Sequence, residues 1–492
     1  MSGVPSSRFR YAPYVLGTGA LAIGGLLAPF ALAAALTGEA WQGFATGSVL
    51  ALGMSMPLRL VGRPRVEPAR REALMAVLAT WLLIPVIGAV PFVVAGPFGP
   101  LDALFESMSG FTTTGATMLV DFEAPGRVLL LWRALTQWIG GIGIIVLFIA
   151  VFPPLAIAGR QLFFTEAPGP TEERLLPRLR NTATAILAVY VGLTAACAAA
   201  YALVGMGPFD AVAHALTTLS AGGFSPHPRS FEGYAPQASW VASAFMVFAG
   251  ANFALLYRAL VGRPRELGRD PEFRAYAGII AVAAAALTLL LLGTYGWGDA
   301  LRHGVFQTLS IVTSTGYAST DFALWSPRAE GVLVMLMFIG GSAGSAAGGV
   351  KVVRWLILAG HTTREVRRVL HPRAVLPLRL GRRIVPEEVT RAVAAFITIY
   401  LMLAAFSTLA LMLLGHDAVT AFTASVACLG NIGPGLASVG PMLSFSELHP
   451  VAKGLLIFAM YAGRLEVVTV FVLFVPGWWR LPRRGRGWMH PT

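Results

Sequence analysis

Charged residues are scarce in this sequence. Asp, Glu, Lys and Arg make up 12% of its 492 residues, whereas 56% of the residues are hydrophobic. Soluble globular domains carry about 25% charged residues, so this composition excludes that class. Apolar windows of roughly 20 residues, long enough to cross a hydrocarbon core of about 30 Å, recur along the whole chain. The sequence therefore predicts an all-α, polytopic membrane protein.

Reactive and metal-binding patterns are also lacking. The two cysteines, Cys197 and Cys428, are far apart, so they predict no disulfide framework. The eight histidines include no pair with metal-ligand spacing, and the sequence contains neither a Walker loop nor a nucleophile–base motif. We therefore expect a protein that is not an enzyme and binds no cofactor, and any nucleotide chemistry is expected to belong to a partner.

The apolar windows predict ten membrane spans. They are placed at 14–37, 41–61, 73–95, 127–150, 182–205, 236–260, 275–294, 330–358, 392–414 and 451–475. Of the 37 Lys and Arg, 30 lie at the two termini or in the loops 59–72, 160–180, 258–274 and 351–391. By the positive-inside rule, both termini and these loops are cytoplasmic. The net charge of +13 is thus explained by topology, and no nucleic-acid partner is expected.

Four similar segments occur along the chain. They are "PLDALFESMSGFTTTGAT" from Pro100, "PFDAVAHALTTLSAGGFS" from Pro208, "WGDALRHGVFQTLSIVTSTGYAS" from Trp297 and "GHDAVTAFTASVACLGNIGPG" from Gly415. Each has an Asp-Ala pair, at Asp102, Asp210, Asp299 and Asp417, which predicts a helix N-cap. A helix of about 10–14 residues is too short to cross a bilayer. We expect each to end midway and return as extended chain.

Each segment lies between two predicted spans, which gives a span–half-helix–loop–span unit at 73–150, 182–260, 275–358 and 392–475. An even number of crossings orients all four units alike, around one pore, unlike the inverted repeats of many solute carriers. The predicted regions are two N-terminal helices (1–71), then pore repeats at 72–180, 181–273, 274–390 and 391–492, the last including a basic cytoplasmic tail.

The Gly/Ser/Thr-rich loops predict an ion selectivity filter, because backbone carbonyls that point inward can replace the water around a dehydrated cation. Aligned by sequence, the candidate filter residues are Thr113, Thr114, Gly115; Ser220, Ala221, Gly222; Ser314, Thr315, Gly316; and Asn431, Ile432, Gly433. Glycine occupies the third position of each triplet, where the chain needs a conformation that other residues rarely adopt. The half-helices would direct their partly negative C-terminal ends toward the bound ion.

Several motifs resemble the membrane subunit of bacterial Trk-type potassium uptake systems, within the Trk/Ktr/HKT superfamily. They are "SGFTTTGAT", "LTQWIGGIGIIVL", "LSAGGFS", "TSTGYAS", "IGGSAGSAAGGVK", "GNIGPG" and "GRLE". The resemblance implies K⁺ as the transported ion, bound at the filter residues. It also implies a homodimer in the bacterial cytoplasmic (inner) membrane, regulated by a cytoplasmic nucleotide-binding ring. Serine at the first filter glycine goes with sodium preference in plant relatives, so Gly115 favours potassium.

A second glycine-rich stretch interrupts the span at 330–358, and the resemblance implies that it is an intramembrane gate at 340–350. Its candidate residues are Gly340, Gly341, Gly344, Gly348, Gly349 and Lys351, with Arg464 of the last span as a donor to its carbonyls. Because the stretch has few large side chains, we expect it to move aside easily. Close helix packing by small residues is the structural alternative.

Three functions stay open at this point. The first is potassium uptake, either as an ion channel or as symport with another ion. The second is a sodium-preferring or sodium-coupled transporter of the same family. The third, an organic-solute secondary carrier, is disfavoured by the parallel fourfold repeat and by the lack of a charged mid-membrane substrate site.

Overall fold

The computed structural model describes residues 10–64, 69–150, 175–381 and 383–479, and in them the fold is helical. The first helices are α1 (Tyr11–Thr37), α2 (Gln42–Val61), α3 (Arg70–Val94), α4 (Pro100–Phe111), α5 (Arg127–Ala150), α6 (Leu175–Leu203), α7 (Pro208–Leu219), α8 (Pro236–Ala249) and α9 (Phe253–Leu260). Then follow α10 (Arg265–Arg269), α11 (Pro271–Leu291), α12 (Trp297–Val312), α13 (Pro327–Leu336), α14 (Val352–Leu370), α15 (Glu387–Leu413), α16 (Ala418–Leu429), α17 (Pro450–Arg464), α18 (Val467–Phe471) and α19 (Pro476–Trp479). The candidate tail beyond Trp479 lies outside the described residues.

Six of the described helices are long and apolar enough to cross a membrane: α1, α2, most of α3, the part of α6 from Ala183, α11 and α15. The number rises to eight if two bent helix pairs are each counted as one span. The prediction of an all-α polytopic membrane protein is therefore confirmed. The boundaries of the repeat regions remain predictions.

Two of the predicted spans are not continuous helices. The span at 236–260 is broken between α8 and α9, which meet at 103°. Asn252 lies at this break and accepts a hydrogen bond from the Leu255 backbone N–H, so it caps α9. The span at 451–475 bends by 113° after α17, at Glu466, whose φ of 67° is incompatible with a right-handed helix.

The four predicted half-helices are α4, α7, α12 and α16, with 12, 12, 16 and 12 residues. The N-cap prediction is right for Asp417, which accepts from the backbone N–H groups of Val419 and Thr420. It is wrong for the other three helices, whose N-caps are Gly99, Gly207 and Gly296. Their aspartates lie in the first turn, where a carboxylate still interacts favourably with the helix dipole.

The predicted interruption of the span at 330–358 is present. α13 ends at Leu336 and α14 begins at Val352, and the residues between them (337–351, the intramembrane segment) form turns and irregular chain. After α14, the pairs Arg379–Leu380 (β1) and Arg383–Ile384 (β2) form a short antiparallel hairpin. This hairpin leads into α15, and both the interruption and the hairpin lie in the region predicted to be the third repeat.

Candidate ion-binding site

All four half-helices end in the same backbone motif. One residue after each C-cap has a left-handed conformation, with φ between 50° and 54°: Thr113, Ala221, Ser314 and Asn431. The N–H of the residue that follows bonds back to the helix, as in Thr114 N to Ser109 O at 2.8 Å and Thr315 N to Ser310 O at 2.8 Å. These are Schellman motifs, so each helix ends by a local rule that also fixes the direction of the loop.

Two residues beyond the left-handed residue, each loop has a glycine with positive φ: Gly115 (84°), Gly223 (78°), Gly316 (80°) and Gly433 (101°). The structurally equivalent triplets are therefore 113–115, 221–223, 314–316 and 431–433. The sequence alignment of the second loop was shifted by one residue. Gly223, and not Gly222, occupies the third position, and Ser220 is the C-cap of α7. Two adjacent glycines made this loop ambiguous in sequence.

The four loops contact one another in a closed ring. A Cβ atom added to Gly115 would overlap the carbonyl oxygen of Gly222, which is the second position of the next loop. The same relation joins the other third-position glycines to the next second-position carbonyls: Gly223 to Thr315, Gly316 to Ile432, and Gly433 to Thr114. The loops thus follow one another in chain order around a common centre, and glycine at each third position permits the close approach.

In three of the loops, a side chain of the half-helix accepts a hydrogen bond from the loop backbone. The backbone N–H five residues after the left-handed residue is bound by Glu106 in the first loop (Met118 N, 2.7 Å), by Gln307 in the third (Ser319 N, 3.4 Å) and by Thr423 in the fourth (Leu436 N, 2.9 Å). The equivalent residue of the second loop is Pro226, which has no N–H. There His214 Nε2 contacts Ser225 Oγ at 3.2 Å instead.

The first of these supports is charged. Glu106 is fully buried and pairs with Arg133 of α5. The Arg133 guanidinium also donates to Ser225 O at 2.9 Å and lies 3.9 Å from the centre of the Phe224 ring. Arg133 therefore joins the first loop to the second. Sequence analysis missed Glu106 and Arg133; their opposite charges in apolar segments were the available signal.

A cavity of about 450 Å³ lies on one side of the ring, bordered by Gly115, Gly223, Gly316 and Pro434 and by the chain that follows the loops. The intramembrane segment lies on the other side. Its Gly348 N–H donates to Ser314 Oγ at 2.6 Å, and a Cβ on Gly348 would meet Gly430 O at 2.6 Å. The ring thus separates an open space from a folded segment.

Arg464 and Lys351 both bind carbonyls of the intramembrane segment. Arg464 is 3% exposed; its Nη1 donates to Ala346 O at 2.9 Å and its Nη2 to Gly140 O at 3.3 Å. Lys351 Nζ donates to Ala347 O at 2.6 Å. The predicted contact between Arg464 and this stretch is therefore present in the geometry. Glu466 points elsewhere and pairs with Arg354.

The glycines of the segment allow tight backbone turns. Gly344 and Gly349 have φ of 76° and 68°, and Gly340 N–H donates to Val350 O at 2.6 Å. A Cβ on Gly341 would lie 2.7 Å from the Ala347 side chain and 2.8 Å from Gly250 O. The segment is thus a compact folded unit in which added side chains would not fit.

The expectation that this segment moves aside easily is wrong for the conformation described. Glu272 of α11 accepts from Ala343 N at 2.7 Å and from Val353 N at 3.2 Å. Asn252 Nδ2 donates to Ala343 O at 2.6 Å, and Ser342 N donates to Gly250 O at 2.8 Å. Small residues reduce side-chain packing, but they bring backbone groups close enough for many hydrogen bonds. Displacing the segment requires breaking them.

Within the described residues, no group of three or more His, Cys, Asp or Glu is arranged to hold a metal ion. The carbonyl oxygens that the four loops bring together are the candidates for contact with a cation. Backbone carbonyls are suited to that role for a monovalent ion that must also leave again.

Known proteins that are similar to this chain identify its family. Residues 42–479 match the family described as TrkH, cation transport protein. The Trk system potassium uptake protein TrkH of Vibrio parahaemolyticus is 38% identical over 430 residues, covering 85% of this chain and 88% of the relative. The TrkH protein of Escherichia coli K12 is 39% identical over 423 residues, covering 84% and 87%.

A solved structure is also similar: the crystal structure of the potassium transporter TrkH from Vibrio parahaemolyticus. It matches with a TM-score of 0.87 at 35% identity, and the match covers 96% of this chain and 100% of that one. The resemblance found from the sequence motifs is confirmed, as is the expectation of a transporter rather than an enzyme. The chain belongs to the TrkH family of cation transport proteins.

Proposed function

We propose that this protein takes up K⁺ across the cytoplasmic membrane of a bacterium, through the ring formed by its four loops. The observation that carries the proposal is the closed cycle in which each third-position glycine lies against a carbonyl of the next loop. A ring of carbonyls at the C-terminal ends of four short helices is an environment that favours a dehydrated cation. The Trk system relatives are named potassium uptake proteins, which supports K⁺ as the cargo.

The proposed filter uses the structural alignment of the loops. Its residues are Thr113, Thr114, Gly115, Ala221, Gly222, Gly223, Ser314, Thr315, Gly316, Asn431, Ile432 and Gly433. Ser314 and Asn431 contact Gly348 of the intramembrane segment, while Gly115, Gly223 and Gly316 border the cavity. An ion would pass from the outer cavity, through the ring, to the region that the segment occupies.

The intramembrane segment is the proposed gate, held closed by Arg464 and Lys351. Both side chains donate to carbonyls of the segment, and a buried positive charge beside the path opposes cation passage. The hydrogen bonds to Glu272 and Asn252 add to the closed state. Opening would then need a source of free energy rather than thermal motion alone.

A cytoplasmic nucleotide-binding ring of the Trk type is the proposed source of that free energy, acting on a homodimer of this chain. The last turns of α14 expose Arg367, Val369 and Leu370, and such mixed basic and apolar surfaces are suited to protein contacts. Both termini would be cytoplasmic, by the distribution of Lys and Arg.

Ion flux in proteoliposomes tests the proposal. K⁺ and Na⁺ gradients are imposed separately, with the pH gradient clamped, and flux is measured for the parent, Gly115→Ser and Gly99→Ser. Gly115→Ser is expected to weaken discrimination against Na⁺, because its side chain would overlap Gly222 O. Gly99 lies at a helix N-cap with no atom within 4 Å of an added Cβ, so Gly99→Ser is the matched control.

The outcomes separate the alternatives. A K⁺ flux that depends on a Na⁺ or H⁺ gradient would indicate symport, and one that follows the K⁺ gradient alone would indicate a channel. Preference of the parent for Na⁺ would contradict the potassium proposal. Unchanged K⁺/Na⁺ discrimination in Gly115→Ser would contradict the filter.

A further inference from the structure

We propose that Gln137 is a positioning residue for the filter: its side-chain amide fixes the second loop and thereby sets discrimination between K⁺ and Na⁺. The inference rests on the proposed function of the ring. Gln137 lies on α5, in the repeat before the loop that it binds, and it is fully buried. It touches the loop and not the ion path, so it would act through the carbonyl that it holds.

The amide of Gln137 makes two hydrogen bonds, one on each side of Gly223. Its Nε2 donates to Gly222 O at 2.6 Å, and its Oε1 accepts from Phe224 N at 3.0 Å. One side chain thus binds the two peptide groups that flank the left-handed glycine. Only a group with a donor and an acceptor at this spacing can make both bonds.

This contact explains why the second loop has two adjacent glycines. The other loops have Thr114, Thr315 and Ile432 at the second position, and the second loop has Gly222. A Cβ on Gly222 would overlap the amide group of Gln137. Gly223 is needed for its backbone conformation, whereas Gly222 is needed to leave room for Gln137.

Gln137 also compensates for Pro226. The first, third and fourth loops are held from behind through a backbone N–H, bound by Glu106, Gln307 and Thr423. Proline removes that N–H from the second loop. Gln137 supplies two backbone hydrogen bonds to the same loop from the neighbouring span, nearer to the ring.

The position of these bonds connects Gln137 to selectivity. Gly222 O is the carbonyl against which Gly115 lies in the ring. The equivalent carbonyls belong to Thr114, Thr315 and Ile432. Among the described residues, only Gly222 O of these four carbonyls accepts a hydrogen bond from a side chain. A fixed carbonyl cannot turn to follow a smaller ion, so releasing it should let Na⁺ be bound more closely.

The experiment measures the K⁺/Na⁺ permeability ratio of the full chain in proteoliposomes. Gln137→Leu removes both hydrogen bonds. Gln137→Glu, when ionised, keeps the acceptor for Phe224 N and replaces the donor to Gly222 O with a negatively charged oxygen that repels it. Both are expected to lower the ratio by roughly three- to tenfold, the equivalent of about one buried hydrogen bond. Trp138 lies next to Gln137 on α5, and Trp138→Phe removes its hydrogen bond to Thr194 of α6. This variant should leave the ratio unchanged.

A rescue separates positioning from general stability. Gly222→Ala alone should lower the ratio, because its methyl group overlaps Gln137. Combined with Gln137→Ala, the same substitution should have little further effect, since the methyl group then fits the vacated space. The inference would be overturned if the effects of Gly222→Ala and Gln137→Ala on the permeability ratio were additive. It would also be overturned if folded Gln137→Leu and Gln137→Glu had the same K⁺/Na⁺ permeability ratio as the parent. If Gly115→Ser lowers the ratio while these variants do not, the filter stands and the role of Gln137 is wrong.

Discussion

The ends of the four half-helices are alike, whereas the crossings that follow them are all different. α4, α7, α12 and α16 end in the same left-handed turn, and their loops meet in one ring. The following crossings are a single helix of 24 residues (α5), a pair bent by 103° (α8 and α9), two helices separated by the intramembrane segment (α13 and α14), and a pair bent by 113° (α17 and α18).

The difference separates two kinds of constraint. A ring that surrounds one ion requires four loops of the same shape, because each glycine must fit against the next carbonyl. In the proposed function, the crossings that follow the loops have no such requirement, so each can be adapted to a different task. We propose that the intramembrane segment and Arg464 are two such adaptations, and they contact each other.

The largest expected effect comes from a substitution that prevents one of the four loops from adopting the shape of the other three. Gly223→Ala would strain a backbone with φ of 78° and would overlap Thr315 O. The combined strain of at least about 3 kcal/mol corresponds to roughly a hundredfold loss of K⁺ flux. Gly207→Ala is the control, since Gly207 caps the same half-helix with nothing within 4 Å of an added Cβ.

This variant also tests the structural alignment of the second loop. With Gln137→Ala present, Gly222→Ala should be tolerated while Gly223→Ala should not, because only Gly223 has a positive φ. Equal tolerance of both substitutions in liposome flux assays would contradict the structural alignment, and tolerance of Gly223→Ala alone would favour the sequence alignment, with Gly222 at the third position.

The charged support of the first loop is expected to affect the stability of the fold rather than ion flux directly. Arg133→Met would leave the carboxylate of Glu106 buried without its cation, which destabilises a protein by about 3–5 kcal/mol. Gln307→Met removes the neutral support of the third loop and should destabilise by about 1–3 kcal/mol. Thermal unfolding in detergent compares the two, and an equal loss would show that the charge of the first support is immaterial.

The sequence predicted the repeated parts better than the parts that occur once. Four copies of a short Asp-Ala helix followed by glycine gave mutually supporting evidence for α4, α7, α12 and α16. The bends at Asn252 and Glu466 occur once each. The sequence around each bend is apolar, so hydropathy predicts one unbroken span across it. The supports Glu106, Gln137 and Gln307 depend on which side chain faces which loop, and hydropathy does not contain that information.

Arg464→Ala should weaken the contacts that hold the intramembrane segment in place. This change removes the donor to Ala346 O and the buried positive charge, so the closed segment loses about 1.5–3 kcal/mol. Rubidium uptake by liposomes that contain the chain without a partner should rise about tenfold, with the K⁺/Na⁺ ratio unchanged. Arg354→Ala, which breaks the pair with Glu466 instead, is the control for loss of an arginine.

Glu272 gives an independent test of the same segment. Glu272→Gln weakens the acceptor for Ala343 N and Val353 N without removing a charge from the candidate ion path. Increased uptake in both variants would indicate that the segment is the gate. Uptake equal to or below that of the parent in folded protein would mean that the segment is structural and that the gate lies elsewhere.

The smallest expected effect concerns the proposed partner, and the structure changes which residues should be tested. Arg364 is 7% exposed and pairs with Glu387 at 2.9 Å, so reversing its charge would disturb the junction of α14 and α15. Arg367 and Arg373 are exposed. Arg367→Glu with Arg373→Glu should reduce co-purification with the regulatory ring by about fivefold, the size of a few exposed ionic contacts.

The same double variant should leave basal rubidium uptake unchanged, because Arg367 and Arg373 lie at or just beyond the end of α14 that is farther from the intramembrane segment. In the proposed mechanism, the regulatory partner binds near the end of α14 and affects the ring only by moving the intramembrane segment. A change in partner binding should therefore leave uptake without the partner unchanged. Arg263→Glu with Arg265→Glu reverses two charges in another loop predicted to be cytoplasmic and serves as the matched control. If both pairs weaken co-purification equally, the contact is a general attraction to basic loops, and the end of α14 has no special role.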